Sequence, residues 1–537
     1  MKKLLAIFVC FLALFSCGSN SSSNGKYLTI NLNEEGKTID TALQTDVSSG
    51  DLHTFLSEGL TKIDIKTKQP IPGLAEKYDI SEDGLTYTFH LRDGIKWSNG
   101  EKITANDFKF AWLRALDPNT AAPYAYMLYP IKNAEKFNTG KATKDEVGIK
   151  VLDDKTLEVK LEASTPYFLS LTAFVTYMPA NEKFVTECGD KFALEPDKLL
   201  YSGPFKMVSW THNSEIKLVK NENYYDKDKI NLDGVNIKFI ANPAAALNAF
   251  KNDEIDFTSL TAEQYDEYKD NPNLHKVLMA TNWYLEFNHK NKFLANSNIR
   301  KAILMAINKE ELTKTVFNGI NDPAYTFTPK GVGMPGLKTN DFATEIGVSA
   351  PKFNATEAKA YLEKGLKELG LDKAPTLSII LNDSGLNKKI GESIQEYLRV
   401  NLGITLNIET MAFKERLSRM ESGQFDVVLA GWGADYQDAM TFLDLLESNN
   451  GNNHGKYSNT EYDKCIRLAK STSNKEERYA AMKKAEEIIA SDVPIALLFQ
   501  AKKNYIVNEK LSNFAFSAVG PDFFMNYADI KLSLIHI

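Results

Sequence analysis

The sequence predicts an α/β protein of two or three lobes, and three observations carry that prediction. The chain has 537 residues, which at roughly 150 residues per domain allows two to four folding units. Segments with strand alternation and segments with helical spacing follow one another along the chain, which points to α/β lobes and away from a barrel, a bundle or a repeat array. Hydrophobic residues make up 43% and charged residues 25%, the balance of a chain with a large core to bury.

Residues 1–16 stand outside that fold. Lys2 and Lys3 give a positive start, and residues 4–15 are almost all apolar. Such a run suits a signal core and falls short of the roughly 18 apolar residues of a membrane span. It ends in Leu14-Phe15-Ser16-Cys17, which resembles the bacterial lipobox, where the cysteine is acylated and becomes the new N-terminus. Phe15 is bulkier than the usual occupant, and the alternative is a plain secretory signal with Cys17 incidental. Residues 17–26 then read as a lipid-anchored flexible tether, because the Gly/Ser/Asn stretch from Gly18 to Gly25 has nothing to bury. Removing residues 1–16 takes away two lysines and no acid, moving the net charge from −7 to −9. A charge of that sign argues against a polyanion binder. Four cysteines in the whole chain exclude a disulfide scaffold, and Cys188 and Cys465 read as isolated thiols.

Strand alternation marks residues 27–32, 86–91, 156–161, 216–219, 235–240, 377–381 and 404–408. Helical spacing marks 105–112, 298–307, 355–369 and 476–490. The first of these follows Thr104, which with Asp107 makes a capping box. The apolar run 425–432 suits an interior strand. Residues 527–532 read as a last strand, with no function placed on the tail beyond them.

Catalytic and metal signatures are missing from the sequence. The seven histidines, at 53, 90, 212, 275, 289, 454 and 536, share no ligand spacing with one another or with the cysteines. No nucleophile elbow and no zincin motif occurs. Gly331-Val332-Gly333-Met334-Pro335-Gly336 fits a dinucleotide fingerprint on paper, yet no strand precedes it and Pro335 sits where the phosphate-binding helix should start. It reads as a loop. No cofactor is expected.

An ordered set of motifs carries a resemblance. Gly73-Leu74-Ala75-Glu76 comes first, then Leu91-Arg92-Asp93-Gly94-Ile95-Lys96-Trp97-Ser98-Asn99-Gly100 and Thr104-Ala105-Asn106-Asp107-Phe108. Asp117-Pro118-Asn119-Thr120-Ala121-Ala122-Pro123-Tyr124, Tyr201-Ser202-Gly203-Pro204-Phe205 and Asn298-Ile299-Arg300-Lys301-Ala302 follow. Phe425-Asp426-Val427 and Trp432-Gly433-Ala434-Asp435-Tyr436 complete it. From about residue 27 to 531 the order and spacing resemble family 5 extracellular solute-binding proteins, the oligopeptide-binding group of ABC importers.

The resemblance implies a two-lobed periplasmic-binding-protein-like fold (type II, cluster C) with an extra domain inserted in the first lobe. Mapped here, lobe one combines 27–57, 184–280 and 503–531, the inserted domain is 58–183, and lobe two is 281–502. It implies a non-enzymatic receptor that captures oligopeptides outside the cytoplasmic membrane, held there through Cys17, and hands them to an ABC permease and its ATPase subunits. A monomer is expected. Backbone from two strands sandwiches the peptide in that family, and the corresponding pieces here are Thr45-Asp46-Val47 and Gly431-Trp432-Gly433. Strand addition binds peptide backbone without reading sequence, and glycine suits a place where another backbone comes close. The alternative is that these glycines only shape a turn.

Asp435 is the sharpest candidate. It follows the C-terminal end of the apolar strand, where ligands collect in open α/β sheets, and the family has an aspartate there for the peptide α-ammonium. The competing role is to cap a helix starting near Asp438. Tyr124, Trp283, Tyr284, Phe413 and Trp432 match cleft-lining aromatics of the family, and each alone also suits a core. Some relatives carry an arginine at the position of Leu429 and a histidine near Asn387 for the peptide carboxylate, and paired cysteines at Thr281 and Gly433; this sequence has none of these. The rival readings are the same fold with another solute (nickel–chelator, haem, oligosaccharide or cell-wall peptide), a secreted hydrolase, or an adhesin.

Overall fold

Three groups of strands organise the chain, seen in a computed structural model that describes residues 25–333, 339 and 341–531. Cys17, the signal 1–16, nearly all of the tether 17–26, residues 334–336 of the glycine-rich loop and the tail 532–537 lie outside the described residues, as does the side chain of Lys414.

The first group is a four-stranded sheet in which Tyr27–Asn31 runs parallel to Gly234–Lys238, followed antiparallel by Glu215–Lys220 and Phe205–Thr211. Period-two alternation sends Leu28, Ile30, Ile216, Leu218, Val235 and Ile237 into one core. The helix Val47–Leu56 packs there through Leu52, Phe55 and Leu56. The C-terminal residues Phe523, Met525 and Ile530 return to the same core.

A smaller antiparallel sheet orders Ala75–Ile80, Thr86–Leu91, Thr156–Lys160 and Ile149–Asp153. Tyr87, Phe89, Leu157 and Val159 point inward from it. The helix Ala105–Leu116 covers that face with Phe108, Ala111, Trp112 and Ala115, an i, i+3, i+4, i+7 stripe. Its capping box forms as expected, Asp107 Oδ2 accepting from Thr104 N at 2.7 Å and from its hydroxyl at 3.0 Å.

The third group contains the two longest strands, Leu274–Phe287 and Ile495–Val507, paired antiparallel. Their pairing breaks between Leu278 and Asn282, opposite Lys502 and Gln500. On one side of the break the pair lies beside Phe257–Ser259, next to the first sheet; on the other it meets Val427–Gly433, then Leu377–Asn382 and Leu406–Met411. Two lobes therefore share one pair of continuous strands. Helices Ser297–Ala306 and Gly385–Leu402 lie on the second lobe's sheet, and Ala355–Leu369 packs on both of them.

Neither long strand shows in the sequence as a strand, because the second-lobe halves are buried on both faces and lose their alternation. The strand expected at 404–408 begins at Leu406, since Gly403 ends the preceding helix in the left-handed region (φ 68°) and Ile404 is spent on the turn. The last strand is only Asp529–Ile530.

Candidate functional site

The strand Val427–Gly433 forms one wall. Ala434 N donates to Ala280 O at 2.8 Å, which fixes the alternation of the antiparallel pair. The even-numbered residues exchange hydrogen bonds with Leu274–Phe287, and Leu429, Gly431 and Gly433 turn their N–H and C=O groups to the opposite edge. That edge meets the parallel strand Leu377–Asn382 only at Val427 and Val428. Among the described strands, the edge at Gly431 and Gly433 is therefore open.

The glycines have a different cause from the one expected. A Cβ at Gly431 would lie 2.9 Å from the indole of Trp283, its cross-strand neighbour, so Gly431 makes room for a ring of this chain. Trp283 in turn stacks on Phe499, centroids 6.0 Å apart. At Gly433 a Cβ would stand 3.1 Å from Thr281 Oγ1. Trp432 shares the opposite face with Asn282 and Tyr284, and its indole Nε1 is buried with no hydrogen-bond partner.

Asp435 follows the strand end and keeps part of its surface open. Its Oδ1 accepts from Tyr124 Oη at 3.4 Å, and its backbone N–H donates to Thr441 Oγ1 at 3.1 Å. No Lys or Arg among the described residues lies within 4.0 Å of its carboxylate, although the chain forms many such pairs elsewhere. Burial, with the nearby Asp444 carboxylate adding to it, pushes Asp435 up to about 7. Asp444 is itself pushed up by burial to about 6. Just beyond it, Asp438 accepts from Met440 N at 3.0 Å in the turn that leads into the helix Met440–Leu443, and holds Arg478 through two bonds of 2.8 Å.

Residues from the opposite side complete the place. Tyr124 precedes the short 3-10 turn Ala125–Leu128, and its ring stands edge-on to Phe174, centroids 5.4 Å apart. Its hydroxyl is held well above the usual phenol range, first by burial, then by Asp435 and by Asp46. Thr45, Asp46 and Val47 do not form a strand. Asp46 is the N-cap of Val47–Leu56, accepting from Ser49 N at 2.8 Å and from Lys37 N at 3.0 Å. Beside that helix start lies a cavity of about 380 Å³, lined by Glu34, Val47, Ser48, Lys503 and Asp522 among others.

Two expected aromatics stand apart. Tyr284 is 7% exposed and packs edge-on against Phe327, so it belongs to the core of the second lobe. Adjacent strand residues face opposite ways, and Trp283 cannot share a wall with it. Phe413 opens the helix Phe413–Glu421, 56% exposed, with the Arg416 guanidinium 5.3 Å from its ring centroid. Leu429 is buried, and Asn387 sits in the first turn of Gly385–Leu402. Glu34, Asp444, Arg416, Lys503 and Asp522 had no motif to mark them; only the topology brings them here.

The sides are shut against each other. Tyr167 stacks on Tyr436 with centroids 4.7 Å apart and planes within 11°, and Arg478 Cζ lies 5.5 Å from the same Tyr167 ring. One hydrophobic cluster runs from Phe89 and Trp112 in the small-sheet unit to Ile303 and Leu381 in the second lobe. Among the described residues no three His, Cys, Asp or Glu side chains are placed to hold a metal ion, and no helix is long and apolar enough to cross a membrane.

A family model described as bacterial extracellular solute-binding proteins, family 5 Middle, matches residues 69–454. The chain belongs to this family. Its members bind solutes; the family is not a catalytic one. Over 543 residues the chain is 36% identical to the oligopeptide-binding protein OppA of Bacillus subtilis, covering 97% of this chain and 98% of that one. The structure of Listeria monocytogenes OppA bound to peptide matches with a TM-score of 0.85 at 36% identity, covering 95% of this chain and 100% of that one. The murein tripeptide binding protein MppA of Escherichia coli matches at 0.82 with 26% identity, covering 95% and 99%. The unliganded open form of MppA matches at only 0.70 with the same identity, covering 96% and 99%. The match to the open form is thus the weaker of the two, and in this chain Tyr167 and Tyr436 are in contact across the cleft.

Proposed function

We propose that this chain is the peptide-capturing receptor of an ABC importer, and that an extended peptide lies in the cleft as an added strand on the open edge at Gly431 and Gly433. Its α-ammonium pairs with Asp435. The observation that carries this reading is a half-buried carboxylate beside an unpaired sheet edge, with no Lys or Arg among the described residues within 4.0 Å of it. A buried carboxylate needs a partner with charge and hydrogen bonds, and an ammonium has both. Tyr124 steadies the carboxylate from the other side, and Trp432 offers a buried indole N–H. The OppA relatives, one of them solved with peptide, support the same ligand class.

The reading divides the chain into a first lobe of 27–57, 184–280 and 503–531, an inserted domain of 58–183 and a second lobe of 281–502. The pairing break at Leu278 and Asn282 supports a hinge between them. Membership of an extracellular family supports a site of action outside the cytoplasmic membrane, and the lipobox-like Cys17 supports retention there by acyl chains.

Calorimetry on four combinations tests the Asp435 pair: wild type and Asp435→Asn, each with a free and an N-acetylated peptide. Either change alone should cost roughly 30-fold to several thousand-fold in affinity, the equivalent of about 2–5 kcal/mol for one lost partner of a desolvated pair. The second change should then cost little more, since both delete the same interaction. Additive losses would mean that Asp435 supports its loop and not the ligand.

A further inference from the structure

We propose that Gln500 is a positioning residue for capture: it ties the hinge between the lobes to the turn that carries Asp435, and so sets how fast a bound peptide is released. The inference rests on the peptide reading above. Along Leu274–Phe287, four steps separate Leu278 from Asn282, while their partners Lys502 and Gln500 are two steps apart. The extra residues lose their ladder partners at such a bulge, and buried backbone groups must then find others. Met279 is 6% exposed and Ala280 is fully buried. Ala280 N donates to Ala518 O at 2.9 Å, Ala280 O accepts from Ala434 N at 2.8 Å, and Met279 O accepts from Gln500 Nε2 at 2.9 Å. The hinge bulge is thus bonded to the C-terminal segment, to the residue just before Asp435 and to the Gln500 side chain.

Gln500 is 5% exposed, and its carboxamide reaches in two directions. Besides meeting Met279, Nε2 donates to Lys330 O at 2.8 Å, and Oε1 accepts from Lys330 N at 3.2 Å. One side chain therefore pairs both backbone groups of Lys330, as a neighbouring strand would. Asn282, opposite Gln500 in the ladder and buried, donates from Nδ2 to Thr326 O at 2.9 Å and to Phe327 O at 2.8 Å. At the far end Gln437, two residues after Asp435, donates from Nε2 to Gly331 O at 3.0 Å. Residues 326–331 form no helix or strand, so side chains of the hinge strands and of the ligand turn hold them in place. The turn is thereby bonded to the hinge by two routes, Ala434 to Ala280 directly and Gln437 through 326–331 to Gln500. Packed, hydrogen-bonded elements move between discrete arrangements and do not stretch. A change of angle at the bulge must then carry the turn with it, and Gln500 holds both the bulge and the segment 326–331.

Gln500→Met keeps the shape and loses all three bonds, and Gln500→Glu keeps the acceptor but turns a carboxylate on two carbonyls. Stopped-flow binding of tetraalanine should show dissociation faster by about threefold or more in Gln500→Met and about tenfold or more in Gln500→Glu, with association within about twofold of wild type. Hydrogen exchange on the wild type reads the same link with no variant: saturating tetraalanine should slow the Lys330 and Ala280 amides by about tenfold or more. Dissociation unchanged in both variants overturns the proposal. So does a Lys330 amide indifferent to ligand, which would make Gln500 a partner for stranded backbone groups and nothing more. Where a variant fails to fold, the exchange result decides. If tetraalanine does not bind the wild type, the peptide reading has failed for that ligand, and scattering decides this proposal by itself. Ligand-free Gln500→Glu should then have a larger radius of gyration than ligand-free wild type, and equal radii overturn the link.

Discussion

Asp435→Asn should stabilise the ligand-free protein while ruining its capture of peptide. The carboxyl is pushed from 3.8 to about 7 in the folded chain. A folded-state value above the unfolded one means the folded protein holds this proton more tightly. Stability from this group is therefore undiminished below about pH 4 and falls as pH rises through 7. Some three pKa units at about 1.4 kcal/mol each set a ceiling near 4 kcal/mol. Partial exposure and coupling to Asp444 reduce that to about 2–3 kcal/mol at pH 8. Asparagine removes the buried charge and still accepts from Tyr124. Urea denaturation of ligand-stripped protein at pH 4, 6 and 8 reads the effect as a shift in midpoint. The variant should match the wild type at pH 4 and exceed it increasingly towards pH 8. A variant less stable at pH 8, or a gap that ignores pH, would refute the burial argument. Peptide affinity in the wild type should follow the converse rule. It weakens as pH falls from 7 to 5 and the carboxyl keeps its proton, and weakens again above about 8 as the α-ammonium is lost.

Gly431→Ala should cost about 1–3 kcal/mol in stability and also weaken peptide binding, because a methyl 2.9 Å from the Trp283 indole must push that ring off Phe499; a denaturation midpoint unchanged from wild type would contradict the packing. Tyr167→Ala removes the stack on Tyr436 that spans the two sides of the cleft, worth about 0.5–1.5 kcal/mol. Small-angle scattering should then show a larger radius of gyration without ligand, and saturating peptide should restore compactness. Cys17→Ala should release the protein from the membrane fraction and change its mature mass, and retention with an unaltered mass would exclude a lipid anchor.

Much of the architecture was legible in residue patterns. Leu28 and Ile30, or Phe89 and Leu91, alternate because one face of their sheet is solvated, and Phe108, Ala111, Trp112 and Ala115 recur at helical spacing for the same reason. Thr104 and Asp107 announced their own helix start. The strands joining the lobes were not legible, since 282–287 and 495–500 are enclosed on nearly every side, so that 495–499 is a plain apolar run and the buried Asn282 and Glu286 break any alternation in the other. Asp435 was marked by its place after an apolar strand, whereas no motif match could say that Tyr284 turns its ring to Phe327 in the second lobe's core. Thr45 to Val47 take a shape the sequence did not announce: Asp46 caps a helix, and that decides the backbone there. Arg416 was not marked, because a basic residue on a helix is ordinarily solvated; its burial against Leu429 comes from the fold alone.

Native mass spectrometry of the protein as purified shows whether the cleft carries peptides. A ladder of masses above the bare chain should collapse on mild acid, releasing a mixture of short peptides with free N-termini. A single non-peptide solute released in their place, or peptides uniformly blocked at the N-terminus, would contradict it.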